Sequence, residues 1–165
     1  MQHSHKSNPF SKVAHHIQLI CDSVSSPANM GGLLRLSDAF GLEQVYFCNA
    51  EVLPDSARLK RAARSTQKHV SFAEHSSSID CVTELKAEGY FVISLEIATN
   101  SEPIQAIELP PHGKLALVIG SEQHGISEEV LKLSEAVVHI EMFGTNSSMN
   151  VTQAAAIALF ELTKR

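Results

Sequence analysis

A loop of small and polar residues, Gly144, Thr145, Asn146, Ser147, Ser148 and Asn150, stands directly before an apolar run from Val151 to Leu162. Small residues allow a ligand close to the backbone, and Asn and Ser offer hydrogen-bond groups. A helix beginning behind them presents unpaired N–H groups and a positive dipole end. The arrangement suits ligand binding, and it equally suits an N-capping loop before a core helix. A second segment, from Ser26 to Gly41, has capping residues at its start (Ser26 or Asn29) and a C-cap glycine at its end, with Gly31, Gly32 and Arg35 between. Each interior glycine should cost about 1 kcal/mol against Ala. Because helical side chains lean toward the N-terminus, Arg35 overlies those glycines, which predicts a guanidinium beside bare backbone with room for a phosphate or sugar. The alternative is a plain Arg35–Asp38 pair on an exposed helix. A third segment, Leu115 to Ser127, is a buried strand, a turn bracketed by Gly120 and Gly125, and a helix start with Glu128 and Glu129 in its first turn. Ligands of open α/β sheets bind at such carboxyl ends. Neither the dinucleotide glycine spacing nor a Walker lysine is present, so Glu122 is either a ligand-facing carboxylate or an ordinary turn residue. His124 and His139 lie near the two loops and read more simply as structural or exposed histidines.

These segments need a frame. Short apolar runs alternate with helical patterns: strands are expected at 17–21, 44–48, 91–95, 115–119 and 137–140, and helices at 30–40, 58–64, 76–88, 127–133 and 150–164. That alternation predicts a single α/β domain with a mainly parallel sheet flanked by helices. The chain's 165 residues suffice for one domain with a sizeable core. The domain is expected over 16–165, behind a polar, flexible arm over 1–15. The last helix is apolar nearly all round: Val151, Ala154, Ala155, Ala158, Leu159 and Leu162 make one stripe, while Ala156, Ile157 and Phe160 fill much of the rest. Two apolar faces need two covering surfaces, which favours a second subunit in so small a domain.

No apolar run approaches the roughly 20 residues of a membrane span, and the N-terminus has no signal-peptide character, so a cytoplasmic protein is expected. Cys21, Cys48 and Cys81 are too widely spaced for a disulfide framework or a CxxC metal site. His3, His5, His15 and His16 lack paired Cys or carboxylate ligands, and no metal is expected. The net charge of −5 argues against blanket nucleic-acid affinity, yet five of the thirteen Lys and Arg residues, Arg58, Lys60, Arg61, Arg64 and Lys68, fall between Asp55 and Glu74 with no acidic residue among them. Such a patch suits selective phosphate contact; a solvated helix face is the other reading.

Taken together, the three segments resemble the three motifs of the SpoU/TrmH-type RNA 2'-O-methyltransferases of the SPOUT superfamily. The first motif stands as Asn29, Gly31, Arg35 and Phe40-Gly41. The second is Gly120, Glu122, Gly125, Ile126 and Ser127, and the third is Ile140, Met142, Gly144, Ser148, Asn150 and Val151. Departures from the family pattern are Glu141 for Pro, Met149 for Leu and Thr152 for Ser.

The resemblance implies an α/β-knot fold with a C-terminal trefoil knot, a topology that general rules of chain connectivity would prune. It also implies a homodimer, and methyl transfer from S-adenosylmethionine to a ribose 2'-hydroxyl of tRNA or rRNA, with a D-loop guanosine of tRNA slightly favoured. Arg35, Asn29, Glu122, Ser148 and Asn150 are the implied catalytic residues. The implied cofactor site is Ile119, Gly120, Gly125, Ile140, Met142, Gly144, Ser148, Met149 and Asn150, contributing mainly backbone. A guanidinium has donors only, so Arg35 is expected to anchor phosphate and stabilise developing alkoxide charge, which leaves the proton acceptor open. With no separate N-terminal RNA-binding domain expected, RNA contacts fall to Arg58, Lys60, Arg61, Arg64, Lys68 and the arm. The different-class alternative is a noncatalytic RNA-binding or assembly protein retaining the fold, at which Glu141 and the acidic charge hint.

Overall fold

The computed structural model describes residues 11–111 and 113–164. Most of the expected N-terminal arm, with His3 and His5, lies outside the described residues. The chain runs β1 (His15–Asp22), α1 (Pro27–Phe40), β2 (Leu42–Cys48), α2 (Ala57–Ala63), β3 (Phe72–His75), α3 (Ser78–Ala87), β4 (Tyr90–Leu95), β5 (Glu102–Pro103), β6 (Lys114–Gly120), α4 (Glu128–Leu133), β7 (Ala136–His139) and α5 (Val151–Thr163). The seven strands form one sheet in the order β3-β2-β1-β6-β4-β7-β5, and every pairing is parallel.

The central strands are buried on both faces, as a parallel sheet under two helical layers requires. Along β1, Leu19 and Cys21 join one core with Leu33, Leu34, Leu59, Ala155, Ala158 and Leu159. Ile20 points the other way, into a core with Cys81, Val82, Leu85 and Val130. Strand β6 splits likewise, with Leu117 and Ile119 in the first core and Ala116 and Val118 in the second. Helices α1, α2 and α5 thus cover one face and α3 and α4 the other. Among the described residues no helix is long and apolar enough to cross a membrane.

Local signals explain the helix ends. Helix α1 starts with Pro27 behind Ser26 and stops at Gly41, whose left-handed backbone (φ 62°) returns its N–H to the last turn. Helix α3 is capped by Ser77, which accepts from Asp80 N at 3.1 Å. Helix α5 is capped by Asn150, whose Oδ1 accepts from Thr152 N at 2.9 Å. The two glycines of α1 serve packing rather than ligand access. A Cβ on Gly31 would overlap the Leu59 carbonyl and stand 2.9 Å from Ala62 Cβ, and one on Gly32 would stand 2.8 Å from Thr152 Cγ2. The room expected beside Arg35 is therefore filled by α2 and α5. Nor does Arg35 pair with Asp38, which instead faces His69 Nε2 at 3.6 Å.

Candidate active site

Strands β4, β6 and β7 end side by side, and the segments leaving them enclose a cavity of about 660 Å³ under the start of α5. Leu95, Glu96 and Ile97 come from the end of β4; Ile119 to Glu122 with Gly125 from β6 and its turn. His139, Ile140 and Met142 come from β7, and Ser147 to Val151 with Ala154 from the loop and first turn of α5. The turn after β6 is very tight. Gly125 N donates to Ser121 O at 2.9 Å, and Gly125 has φ +65°, while a Cβ on Gly120 would overlap the Gly125 carbonyl group. Gly120 admits no side chain because its own turn closes over it.

Three side chains from the three sequence segments meet at the rim. Asn29 Nδ2 donates to Glu122 Oε1 at 2.7 Å, Asn150 Nδ2 donates to the same oxygen at 2.9 Å, and Asn150 Nδ2 also reaches Asn29 Oδ1 at 3.1 Å. The amide orientations follow from chemistry. Thr152 N can only donate, so the atom of Asn150 that receives it is Oδ1 and the one facing Glu122 is Nδ2. One carboxylate thereby links α1, the β6 turn and the cap of α5.

Of the residues expected at the cofactor site, Ile119, Gly120, Gly125, Ile140, Met142, Ser148, Met149 and Asn150 line the cavity and Gly144 does not. A Cβ on Gly144 would meet nothing within 4 Å, because the residue sits at the exposed tip of its loop. Arg35 also stands apart: it is exposed, is not among the lining residues, and lies six positions beyond Asn29, about 9 Å of axial rise. Ser148 lines the cavity with its side chain open to solvent. His139 belongs to the wall, its Nδ1 within 2.9 Å of Ser101 Oγ, whereas His124 is exposed outside it.

Two carboxylates escaped notice in the sequence. Glu96 follows the last residue of β4, and its Oε1 accepts from Ile97 N and its Oε2 from Ile126 N, each at 3.0 Å. Its own N–H donates to Val138 O at 2.9 Å. The usable signal was position, a carboxylate just past the carboxyl end of a buried strand. Asp22, 3 % exposed, accepts from Ser78 Oγ at 2.8 Å and from Ser127 N at 3.1 Å, so it fixes the helix that leaves the β6 turn.

The basic residues lie on and just beyond α2. Leu59 and Ala63 are buried against α1, while Arg58, Lys60, Arg61, Arg64 and Lys68 are all exposed. Lys60 is held by Asp55 at 2.7 Å; among the described residues Arg58, Arg61, Arg64 and Lys68 form no ion pair. No group of three or more His, Cys, Asp or Glu placed to hold a metal occurs among the described residues.

Comparison with known proteins identifies the family and the fold. The SpoU rRNA Methylase family matches residues 16–160. The chain is 30 % identical over 144 residues to the 23S rRNA (guanosine(2553)-2'-O)-methyltransferase RlmP of Bacillus subtilis, covering 87 % of this chain and 56 % of that protein. It thus spans little more than half the length of that relative. An AdoMet-bound rRNA methyltransferase from Sinorhizobium meliloti superposes with a TM-score of 0.84 at 23 % identity, over 94 % of this chain and 58 % of the other. A structure described for 2-OH methylation of C/U34 on tRNA superposes with a TM-score of 0.73 at 25 % identity, over 90 % of this chain and 97 % of that one. With the family matched over residues 16–160, the chain belongs to the SpoU methylase family.

Proposed function

We propose that this protein transfers a methyl group from S-adenosylmethionine to a ribose 2'-hydroxyl of RNA. The observation that carries this reading is the Asn29–Glu122–Asn150 network at the mouth of a cavity formed by the ends of β4, β6 and β7. The cavity fits the cofactor's chemistry. Apolar side chains of Leu95, Ile119, Ile140, Met142 and Met149 suit a purine and a thioether chain, and Glu96 and Glu122 suit a cation. Backbone around Gly120, Ile140 and Met149 would hold it. When bound, the group supplies an electrophilic methyl on a sulfonium.

The protein's own residues do the positioning. Asn150 caps α5 and orients Glu122, and Asn29 fixes that carboxylate from α1. Arg35, exposed and without an ion pair among the described residues, is free to anchor a substrate phosphate and to stabilise alkoxide charge. Arg58, Arg61, Arg64 and Lys68 extend a cationic track that suits an RNA backbone. We favour tRNA over rRNA, supported by coverage of nearly the whole chain described for C/U34 of tRNA; the RlmP likeness supports rRNA.

The family's trefoil knot and homodimer belong to the same proposal. Helix α5 buries Ala155, Ala158, Leu159 and Leu162 in the monomer and leaves Ile157 (42 %) and Phe160 (56 %) exposed, the second apolar face that a partner subunit would cover. A dimer is expected by sedimentation at micromolar concentration, and a stable, active monomer would contradict it. The buried free thiols Cys21, Cys48 and Cys81 suit a reducing, cytoplasmic compartment.

The test is transfer of labelled methyl from S-adenosylmethionine to total tRNA and to rRNA, followed by mapping of ribose methylation. Methyl label on a 2'-oxygen confirms the reading. RNA binding without cofactor binding or transfer would instead establish a noncatalytic RNA-binding protein on the same fold.

A further inference from the structure

Among the described residues the wall of the cavity holds two carboxylates, Glu96 and Glu122, with His139, and neither lysine nor arginine. Glu122 is bound up in the rim network with Asn29 and Asn150. Glu96 is different. It comes from outside the three motifs, and two backbone N–H groups, from Ile97 and Ile126, hold its carboxylate in place. Its Oε2 lies 2.5 Å from where a Cβ on Gly125 would stand, so only glycine at that turn lets the carboxylate sit there. The positive dipole end at the start of α5 works against a cation, but Asn150 already caps one of its N–H groups.

We infer that Glu96 is a specificity-determining residue of the cofactor pocket, a fixed carboxylate that makes the pocket prefer the cationic sulfonium of S-adenosylmethionine over the neutral thioether of S-adenosylhomocysteine. The inference rests on the methyltransferase reading above. In the reaction the O–CH3 bond forms as the S–CH3 bond breaks, sulfur keeps the electron pair, and the hydroxyl proton leaves to solvent. The ligand loses one positive charge, and a fixed negative group in a partly desolvated wall then binds it less well. Glu96 would thereby favour loading of substrate and release of product from a site that must do both.

The experiment measures Kd for S-adenosylmethionine and S-adenosylhomocysteine by calorimetry at low salt, in the unaltered protein, Glu96→Gln and Glu96→Asp. Glu96→Gln should weaken S-adenosylmethionine about fivefold or more, the order expected for one nearby charge, and leave S-adenosylhomocysteine nearly unchanged. Glu96→Asp should keep most of the preference because it keeps the charge. A purely structural clamp would weaken both ligands together in Glu96→Gln, and that result, or an unchanged ratio, overturns the inference. Sinefungin, which carries an ammonium where the sulfonium stands, gives an arm that needs no variant: it should bind the unaltered protein more tightly than S-adenosylhomocysteine, and weaker binding overturns the charge preference. If the unaltered protein binds none of the three, the methyltransferase reading itself fails, an outcome distinct from both.

Discussion

The two ends of the sheet each carry a recess, and the larger is not the candidate active site. At the amino ends of β1 and β6 about 830 Å³ is enclosed by Ala14 to Ile17, Ile107 to Pro111, Gly113, Leu115 and Leu162; at the carboxyl ends of β4, β6 and β7 the volume is about 660 Å³. Near the amino end Gln18, Tyr90 and Glu43 form a chain of hydrogen bonds, with Gln18 Oε1 buried and without a partner among the described residues. Gln18 Nε2 donates to Tyr90 Oη at 2.6 Å, and Tyr90 donates to Glu43 Oε2 at 2.7 Å; burial, then the bond to Glu43, pushes the Tyr90 hydroxyl up to about 12. At the carboxyl end, Asn29 and Asn150 from two separated segments converge on Glu122 from a third. Volume marks space; what sets the carboxyl end apart is that Glu122 and Asn150 of its network line the cavity, whereas Gln18, Glu43 and Tyr90 line neither recess.

The sharpest break in this comparison should come from Arg35→Ala. Loss of a group that stabilises charge in the transition state costs about 100-fold or more in turnover, and because Arg35 lies outside the cavity, cofactor affinity and the circular-dichroism spectrum should hardly move. Near-normal turnover would remove Arg35 from the mechanism. Next in size is Gly31→Ala. The added Cβ overlaps the Leu59 carbonyl, which belongs to backbone and cannot swing away, so overpacking of about 1–3 kcal/mol should exceed the helix-propensity gain of about 1 kcal/mol and lower the midpoint of thermal unfolding. Gly32→Ala should cost less, since its nearest neighbour is the Thr152 side chain rather than backbone. A Gly31→Ala protein as stable as the original would reopen the idea that this glycine serves a ligand. The smallest effect belongs to the cationic track. Replacing Arg58, Arg61 and Arg64 together by Ala should flatten the slope of log RNA affinity against log salt by about 0.7–0.9 for each phosphate no longer neutralised, with cofactor affinity unchanged. An unchanged slope would show that RNA is gripped elsewhere, with residues 2–12 next to be tested.

How much of this was legible in sequence follows from what each residue depends on. Strands β1, β2, β4, β6 and β7 announced themselves by apolar runs, and α1 by a capping Ser26 and the C-cap Gly41, because those signals are local, although the helix starts at Pro27 rather than at the expected residue 30. Strand β3, four residues of Phe72–His75, and β5, two residues of Glu102–Pro103, carry too little periodicity and exist because the sheet edge offers them a partner. Gly31 and Gly32 signalled a close approach, but only the packed helices show that α2 and α5 are what approach. Gly144 matches its motif while lying away from the cavity, at an exposed loop tip. Glu96 had no motif of its own; its place in the cavity wall is held by Ile126 N, brought to it by the parallel pairing of β4 with β6.

The most direct test of the central claim is calorimetry of S-adenosylmethionine with the unaltered protein, Ser148→Trp at the mouth of the upper cavity, and Leu109→Ala in the lower recess. The account predicts one cofactor per chain, binding abolished or weakened at least about tenfold by Ser148→Trp, which corresponds to about 1.4 kcal/mol, and unchanged affinity for Leu109→Ala. Binding that survives Ser148→Trp and is lost with Leu109→Ala would place the cofactor at the wrong end of the sheet and contradict the account.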